Sequence, residues 1–374
     1  MKKPLTVHQA SLLLALCILG TKFQRFPALL VESFGRNCWI MYAVLTTIEI
    51  LVGLIFINLM AKSPDKTIFQ LFSEYFGVVG KTIFSVLICL FFIAKAVIAY
   101  KGTHEFFANV LFDKLPWKYF SVLLVILLVV MVLSGLNGLG RSAELYVFVI
   151  GFGVIACLGL GIVNVKFSAI FPILDCNVGD FALSALKFQP WLGDYMVILF
   201  FIGNVKFQSS PKTRMVVTYI VLGIVNTISI LFFYCVNEHL SVFQANGLAS
   251  ITQYSLIGLG IGRPDWFLVL FVFISKLIAC GFYVYAYTVS FGEIINLKDN
   301  KIVNFSCVLA LYFIEYFVFK NVDEAITSFK GVLGYCMIGV CVLMTILIII
   351  LTLLNKRGRL QNQPNTFYKA RCEI

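Results

Sequence analysis

Gly20-Thr21-Lys22-Phe23-Gln24-Arg25-Phe26-Pro27 interrupts one apolar stretch, and Gly203-Asn204-Val205-Lys206-Phe207-Gln208-Ser209-Ser210-Pro211 closes another. Each is a Gly, then Lys-Phe-Gln, then a Pro three residues after the Gln, and nearly half the chain lies between them. Paired interruptions at corresponding positions of two hydrophobic halves are the sequence mark of an inverted-repeat transporter, whose broken helices build a binding site at the membrane midplane. Unwinding frees backbone N–H and C=O groups that hydrocarbon cannot satisfy, so a break persists only beside protein, water or ligand. Gly20 and Gly203 let a backbone approach a ligand without a Cβ, and Thr21 and Asn204 add a hydroxyl and an amide within reach. The half-helix N-termini beside such breaks carry partial positive charge suited to a carboxylate. The competing reading is that both glycines are close-packing contacts of the kind common in membrane bundles.

Working outward, the composition requires a membrane. Of the 374 residues 60% are hydrophobic and 13% charged, with 37 Phe and a mean hydropathy of +0.96. A soluble domain is roughly 45–50% apolar and about 25% charged. Tyr119–Gly140, Leu145–Val165, Met215–Asn237 and Val332–Asn355 contain no Asp, Glu, Lys or Arg, and each exceeds the roughly 18 residues that mark a candidate span. The expected fold is all-α: a polytopic membrane protein of ten transmembrane helices in two inverted repeats of five, with helices 1 and 6 broken. The predicted spans are Leu5–Phe34, Asn37–Ala61, Thr82–Phe107, Lys118–Gly140, Leu145–Val165, Pro190–Phe207, Met215–Val236, Asp265–Leu297, Ile302–Phe319 and Gly331–Asn355. They fill one permease domain, 1–374, with repeat one about 5–165, repeat two about 190–355 and a basic tail, 356–374. Ser63–Gly80 mixes Pro64, Phe69, Leu71, Phe72 and Phe76 with charges and is expected along the interface. Glu238–Arg263 reads as an outer hairpin or re-entrant helix.

The formal charge of +11 is topological. With a cytoplasmic N-terminus, 16 of the 29 Lys and Arg fall on the cytoplasmic side, 9 outside and 4 within spans, which supports both termini inside. No nucleic-acid-binding motif accompanies the charge. Most of the eleven Cys lie in apolar spans, where Cys behaves as a small hydrophobe. No C-x-x-C pair occurs and His8, His104 and His239 are far apart, so neither a metal nor another cofactor is expected. No nucleophile, base and orienting group assemble from a motif, so the chain is not expected to be an enzyme.

Lys22, Arg25, Lys95 and Lys276 are basic residues within spans, and Glu49, Asp194 and Glu315 are acidic ones. Each costs a few kcal/mol at a helix centre and is a functional candidate on that ground. Lys22 reads as the partner of an anionic ligand group or of a carboxylate that changes pairing during a conformational switch, or as one arm of a fixed salt bridge to Asp194, Glu49 or Glu315. Arg25 reads as structural or snorkelling, and Lys95 and Lys276 as members of a polar network, since an unpaired buried ammonium is expensive. The candidate ligand-binding set is Gly20, Thr21, Lys22, Gln24, Lys95, Asp194, Gly203, Asn204 and Lys276. The stripe Phe282, Tyr283, Tyr285 and Tyr287 reads first as packing.

Short motifs spread in order along the chain add a resemblance. They are Leu5-Thr6-Val7-His8-Gln9-Ala10 leading to Gly20-Thr21 and Phe26-Pro27, Ser63-Pro64-Asp65-Lys66-Thr67 with Phe76-Gly77, and Gly140-Arg141-Ser142-Ala143-Glu144. Phe171-Pro172-Ile173-Leu174 follows, then Gly262-Arg263-Pro264-Asp265-Trp266 running to Lys276 and Tyr283. Together they resemble the spore germination permeases, the multi-span B subunits of nutrient germinant receptors. The resemblance implies an amino acid/polyamine/organocation transporter fold of LeuT type in the inner membrane of a bacterial endospore. It further implies a sensor of a small nutrient, an amino acid, held between helices 1, 3, 6 and 8 and assembled with A and C subunits; an active proton- or Na⁺-coupled amino acid or amine transporter is the alternative. Gly20 and Thr21 match the family's unwound first helix, Asp194 stands where the sixth often has Glu, and Lys276 matches a Lys common in the eighth. Lys22 and Arg25 depart from the small or apolar residues that usually follow Gly-Thr, and Gly203-Asn204 departs from the usual apolar-Pro pattern.

Overall fold

The computed structural model describes residues 5–23, 25–110, 117–173, 179, 184–185, 188, 191–206, 211–244, 247–252, 265–297, 300–319 and 322–361. The helices are α1 (Val7–Lys22), α2 (Phe26–Phe34), α3 (Cys38–Lys62), α4 (Ile68–Val110), α5 (Trp117–Gly161), α6 (Pro211–Asn237), α7 (Gly247–Thr252), α8 (Asp265–Ile294), α9 (Lys301–Val318), α10 (Val322–Lys330) and α11 (Val332–Gln361). A 3-10 helix spans Asp194–Phe201. By length and apolarity seven stretches of the described residues suffice to cross a membrane. One of them, Ser121–Asn164, has 44 residues, about twice what a hydrocarbon core of ~30 Å requires. Gly135, at φ +69° inside α5, divides it. The predicted spans Lys118–Gly140 and Leu145–Val165 are thus parted by a single left-handed glycine inside the first of them, after which the helix resumes at once.

The other breaks are local too. Gly77, at φ +70°, separates the amphipathic start of α4 from its long apolar part, so the expected interfacial segment is a helix from Ile68 up to that glycine. The first predicted span is two helices, α1 and α2, with Phe23 and Arg25 flanking the break. Where Glu238–Arg263 is described it forms a 3-10 turn, Glu238–Phe243, and the short α7.

Packing separates lipid from core. Phe148, Phe152 and Ile155 on α5, Ile302 on α9 and Leu353 on α11 are exposed, forming the outward apolar belt a bilayer covers. In α1 and throughout Asp194–Phe201 the side chains turn inward instead. α8 lies at the centre, packed against α4, α5 and α1, while α3 packs along α6.

The N-terminal motif closes one face of the bundle. Thr6 caps α1: its hydroxyl accepts from Gln9 N at 3.2 Å, and Gln9 Oε1 accepts from Thr6 N at 3.3 Å. Gln9 Nε2 then donates to Glu144 at 2.9 Å, joining two motifs far apart in sequence. Strand β1 (Leu5–Thr6) pairs in parallel with β2 (Val205–Lys206), Leu5 facing Val205, and Leu5 N donates to Asn204 O at 2.9 Å.

Gly203 belongs to this closure. Its φ is +74°, and a Cβ there would lie 2.5 Å from the Lys66 carbonyl carbon and 2.6 Å from Thr67 N. Gly203→Ala is thus expected to strain the backbone and push the Lys66–Thr67 loop away. The cost should be about 1–3 kcal/mol, read as a lower thermal midpoint than that of Gly151→Ala, where a Cβ meets nothing within 4 Å. Equal midpoints would show that the closure yields freely.

Candidate functional site

The break that gathers the charges is at Gly193, not at Gly203. Gly193 adopts φ +84°, ψ +21° immediately before the 3-10 helix, and a Cβ there would press to 3.1 Å from Phe91 Cζ. The segment predicted as one helix, Pro190–Phe207, is therefore a left-handed turn, a tight helix and a short strand over its described residues. Gly203, itself left-handed, and Asn204 lie at the other end of the tight helix from the charged turn. The Asn204 side chain donates to Phe200 O at 3.0 Å and its backbone N to Phe201 O at 3.1 Å, closing the end of the tight helix on the face where Leu5 docks. Gln24 lies outside the described residues.

Four buried charges meet at the Gly193 turn. Asp194 holds Lys95 Nζ at 3.1 Å from Oδ1 and Lys22 Nζ at 3.3 Å from Oδ2. Lys22 Nζ also donates to the freed carbonyl of Trp191, and Glu49 accepts from the backbone N–H groups of Gly193 and Asp194. Tyr283 OH donates to Asp194 Oδ1 at 3.3 Å. Aromatic faces line the ammoniums: Phe26 at 5.1 Å from Lys22, and Tyr283 at 5.8 Å from Lys95, a favourable contact for a desolvated cation. Two ammoniums and two carboxylates thus balance in a place where any one alone would cost several kcal/mol. Lys22 is paired with Asp194, which both its switching and its fixed salt-bridge readings allow.

Other candidates have separate places. Glu315 pairs with Lys101 at 2.7 Å, and Lys101 also donates to Phe319 O. Thr21 turns its hydroxyl back onto Cys17 O and Ile18 O of its own helix. Gly20 packs onto α8, where a Cβ would lie 2.8 Å from Ser275 O and 3.0 Å from Lys276 Cα. Close packing accounts for Gly20 without a ligand, yet Gly20 and Thr21 also face a cavity. That cavity, about 50 Å³, is walled by Gly20 and Thr21 of α1, Lys95 of α4, Lys276 of α8 and Trp191 beside the Gly193 turn, and it is roofed by Ala325, Ile326 and Phe329 of α10. Ordered water needs roughly 10–15 Å³ of such space each, so a few waters fit; ligand pockets start near ~300 Å³. Admission of a nutrient therefore requires the roof or α2 to shift.

A larger space, about 390 Å³, opens towards the face of the N-terminal closure, with Thr67, Asn204, Tyr285, Thr288 and Glu293 in its wall. Packed rings of Phe92, Phe200, Phe282 and Tyr283 stand between it and the charged turn. Tyr283 is thus both part of the packing stripe and a ligand of Asp194. Glu49, Trp191, Tyr283 and the roof helix α10 are among the members that the candidate set lacks; of these Glu49 announces itself most plainly in the sequence, as an acid within a span.

No curated protein sequence matches the chain. A solved structure of a Na⁺-coupled sialic acid symporter in a substrate-bound, outward-open state shares its fold, with a TM-score of 0.58 at 13% identity, covering 92% of this chain and 79% of that one. The broken first and sixth segments around a buried polar centre are those of the LeuT-type fold, and the long apolar helices make the chain an integral membrane protein. The model of one family, described as spore germination protein, matches residues 4–325, and with that span of its length the chain belongs to the spore germination permease family.

Proposed function

We propose that this chain is the permease-like subunit of a spore nutrient germinant receptor, binding a small nutrient of the amino-acid class between the first, third, sixth and eighth segments. Binding biases an equilibrium between conformations, which A and C subunits read. A ligand shifts such an equilibrium only through its different affinities for the two states. One observation carries the reading: the small roofed cavity is walled by those four segments and touches both breaks. It is too small as it stands for an amino acid, as an occluded state would be. The excess of Lys and Arg on one side supports both termini in the cytoplasm, and the family supports the spore inner membrane as the site of action. The role is non-enzymatic.

The second reading, a coupled amino acid or amine transporter, is favoured by the fold shared with a symporter. Binding and uptake of a labelled amino-acid panel by proteoliposomes containing this chain alone separate the two. Binding without accumulation is expected. Concentrative uptake would make it a transporter, and absence of both would refute a self-sufficient pocket. Ala99, buried on α4 in the cavity wall, offers a direct control. Ala99→Leu fills the space and is expected to weaken binding roughly tenfold, about 1.4 kcal/mol, in equilibrium binding of the best panel member. Unchanged affinity would take the cavity out of the site.

A further inference from the structure

The Gly193 turn contains a cation site whose cation is the chain's own. Two oxygen groups make it one, the freed carbonyl of Trp191 and the Asp194 carboxylate, and the Glu49 carboxylate, bound to the backbone N–H groups of Gly193 and Asp194, adds negative charge beside them. Oxygen donors of this kind suit hard cations. The group that occupies the oxygens is Lys22 Nζ, brought by the last turn of α1 and almost wholly buried. An ordinary structural ion pair would need only a carboxylate, and Asp194 already has an ammonium on its other oxygen, that of Lys95 at 3.1 Å. The bond to Trp191 O is what marks the position, because that acceptor is free only where the helix is interrupted.

We propose that Lys22 is a tethered substitute for a dissociable monovalent cation at this break. The chain therefore assembles its centre without Na⁺, and removal of the Lys22 side chain opens a site that Na⁺ or a small alkylammonium fills. Without Lys22 the two carboxylates share one ammonium and Trp191 O loses its donor, leaving a buried net negative charge beside a vacant volume. The inference goes beyond nutrient sensing and does not depend on which nutrient is bound. It also sets this chain apart from the symporter of shared fold, which is Na⁺-coupled.

The test is thermal unfolding of the full-length chain in nanodiscs, in choline, sodium or methylammonium chloride at equal ionic strength, with equilibrium binding of radiolabelled Na⁺ alongside. Wild type is expected to unfold at one midpoint in all three salts and to bind no Na⁺ saturably. Lys22→Ala should unfold earlier in choline, recover in sodium or methylammonium with saturation, and bind Na⁺ in competition with methylammonium. Lys22→Met, whose stem occupies the volume without a charge, should unfold early and recover in neither. Saturable Na⁺ binding by wild type would overturn the proposal. So would a Lys22→Ala protein that responds to cations no more than wild type does, or one that fails to fold in every salt. No nutrient enters these measurements, so a failed nutrient response leaves their outcome intact.

Discussion

Replacing Asp194 by alanine is expected to destabilise the folded chain by about 3–5 kcal/mol, the usual cost of breaking a buried ion pair and leaving a charge unpaired. Here two ammoniums lose their carboxylate at once, Lys22 at 3.3 Å and Lys95 at 3.1 Å, and Tyr283 loses an acceptor. Nearby Glu49 offers little relief, since it is engaged with the backbone of Gly193 and of position 194 itself. The readout is the thermal midpoint and the yield of monodisperse protein in detergent. Pairing the substitution with Lys95→Met tests the cause: removing one surplus ammonium together with the carboxylate should recover part of the loss, a coupling typically of 0.5–3 kcal/mol for groups in contact. Strictly additive losses would mean that Lys95 and Asp194 do not act as a pair. Asp194→Asn, which keeps the shape and removes the charge, should lie near alanine in stability if charge rather than packing holds the turn.

What the sequence discloses follows from cost. A charge in a membrane span is expensive wherever it sits, so Lys22, Lys95, Glu49, Asp194, Lys276 and Glu315 are visible without any structure. Their pairing is not, because it depends on which segments are neighbours: Lys95 comes from α4, Asp194 from the sixth segment and Glu49 from α3. The first break is legible because Lys22, Arg25 and Pro27 interrupt an apolar run. In the sixth segment the interruption at Gly203 is legible too, but the turn that gathers the charges is not. Lys206 and Pro211 draw attention to Gly203, whereas Trp191-Leu192-Gly193 has neither charge nor proline, and its left-handed glycine is a backbone fact. The roof helix α10 is polar and short, so it reads as a loop; it becomes recognisable only by what it covers.

The same reasoning decides what Gly20 is for. A Cβ at this position would meet Ser275 O at 2.8 Å, Ala279 Cβ at 2.9 Å and Lys276 Cα at 3.0 Å. Two of these atoms belong to α8 backbone, which cannot swing aside like a side-chain tip. Ser275 Oγ also bonds to Leu16 O at 3.2 Å across the same contact, so α1 and α8 are fastened where they are closest. Gly20→Leu must drive the helices apart, and overpacking of this kind costs typically 1–3 kcal/mol, occasionally more. Gly339, where a Cβ meets nothing within 4 Å, is a clean control. Gly20→Leu is therefore expected to lower the thermal midpoint well below that of Gly339→Leu. Gly20→Ala divides the remaining alternatives. If Gly20 is purely a packing contact, alanine should cost stability while the protein that still folds binds its nutrient with unchanged affinity. If the cavity beside it is the site, affinity should fall as well, because the 50 Å³ space is bounded by Gly20 on α1 and Lys276 on α8, and separating those helices changes its shape.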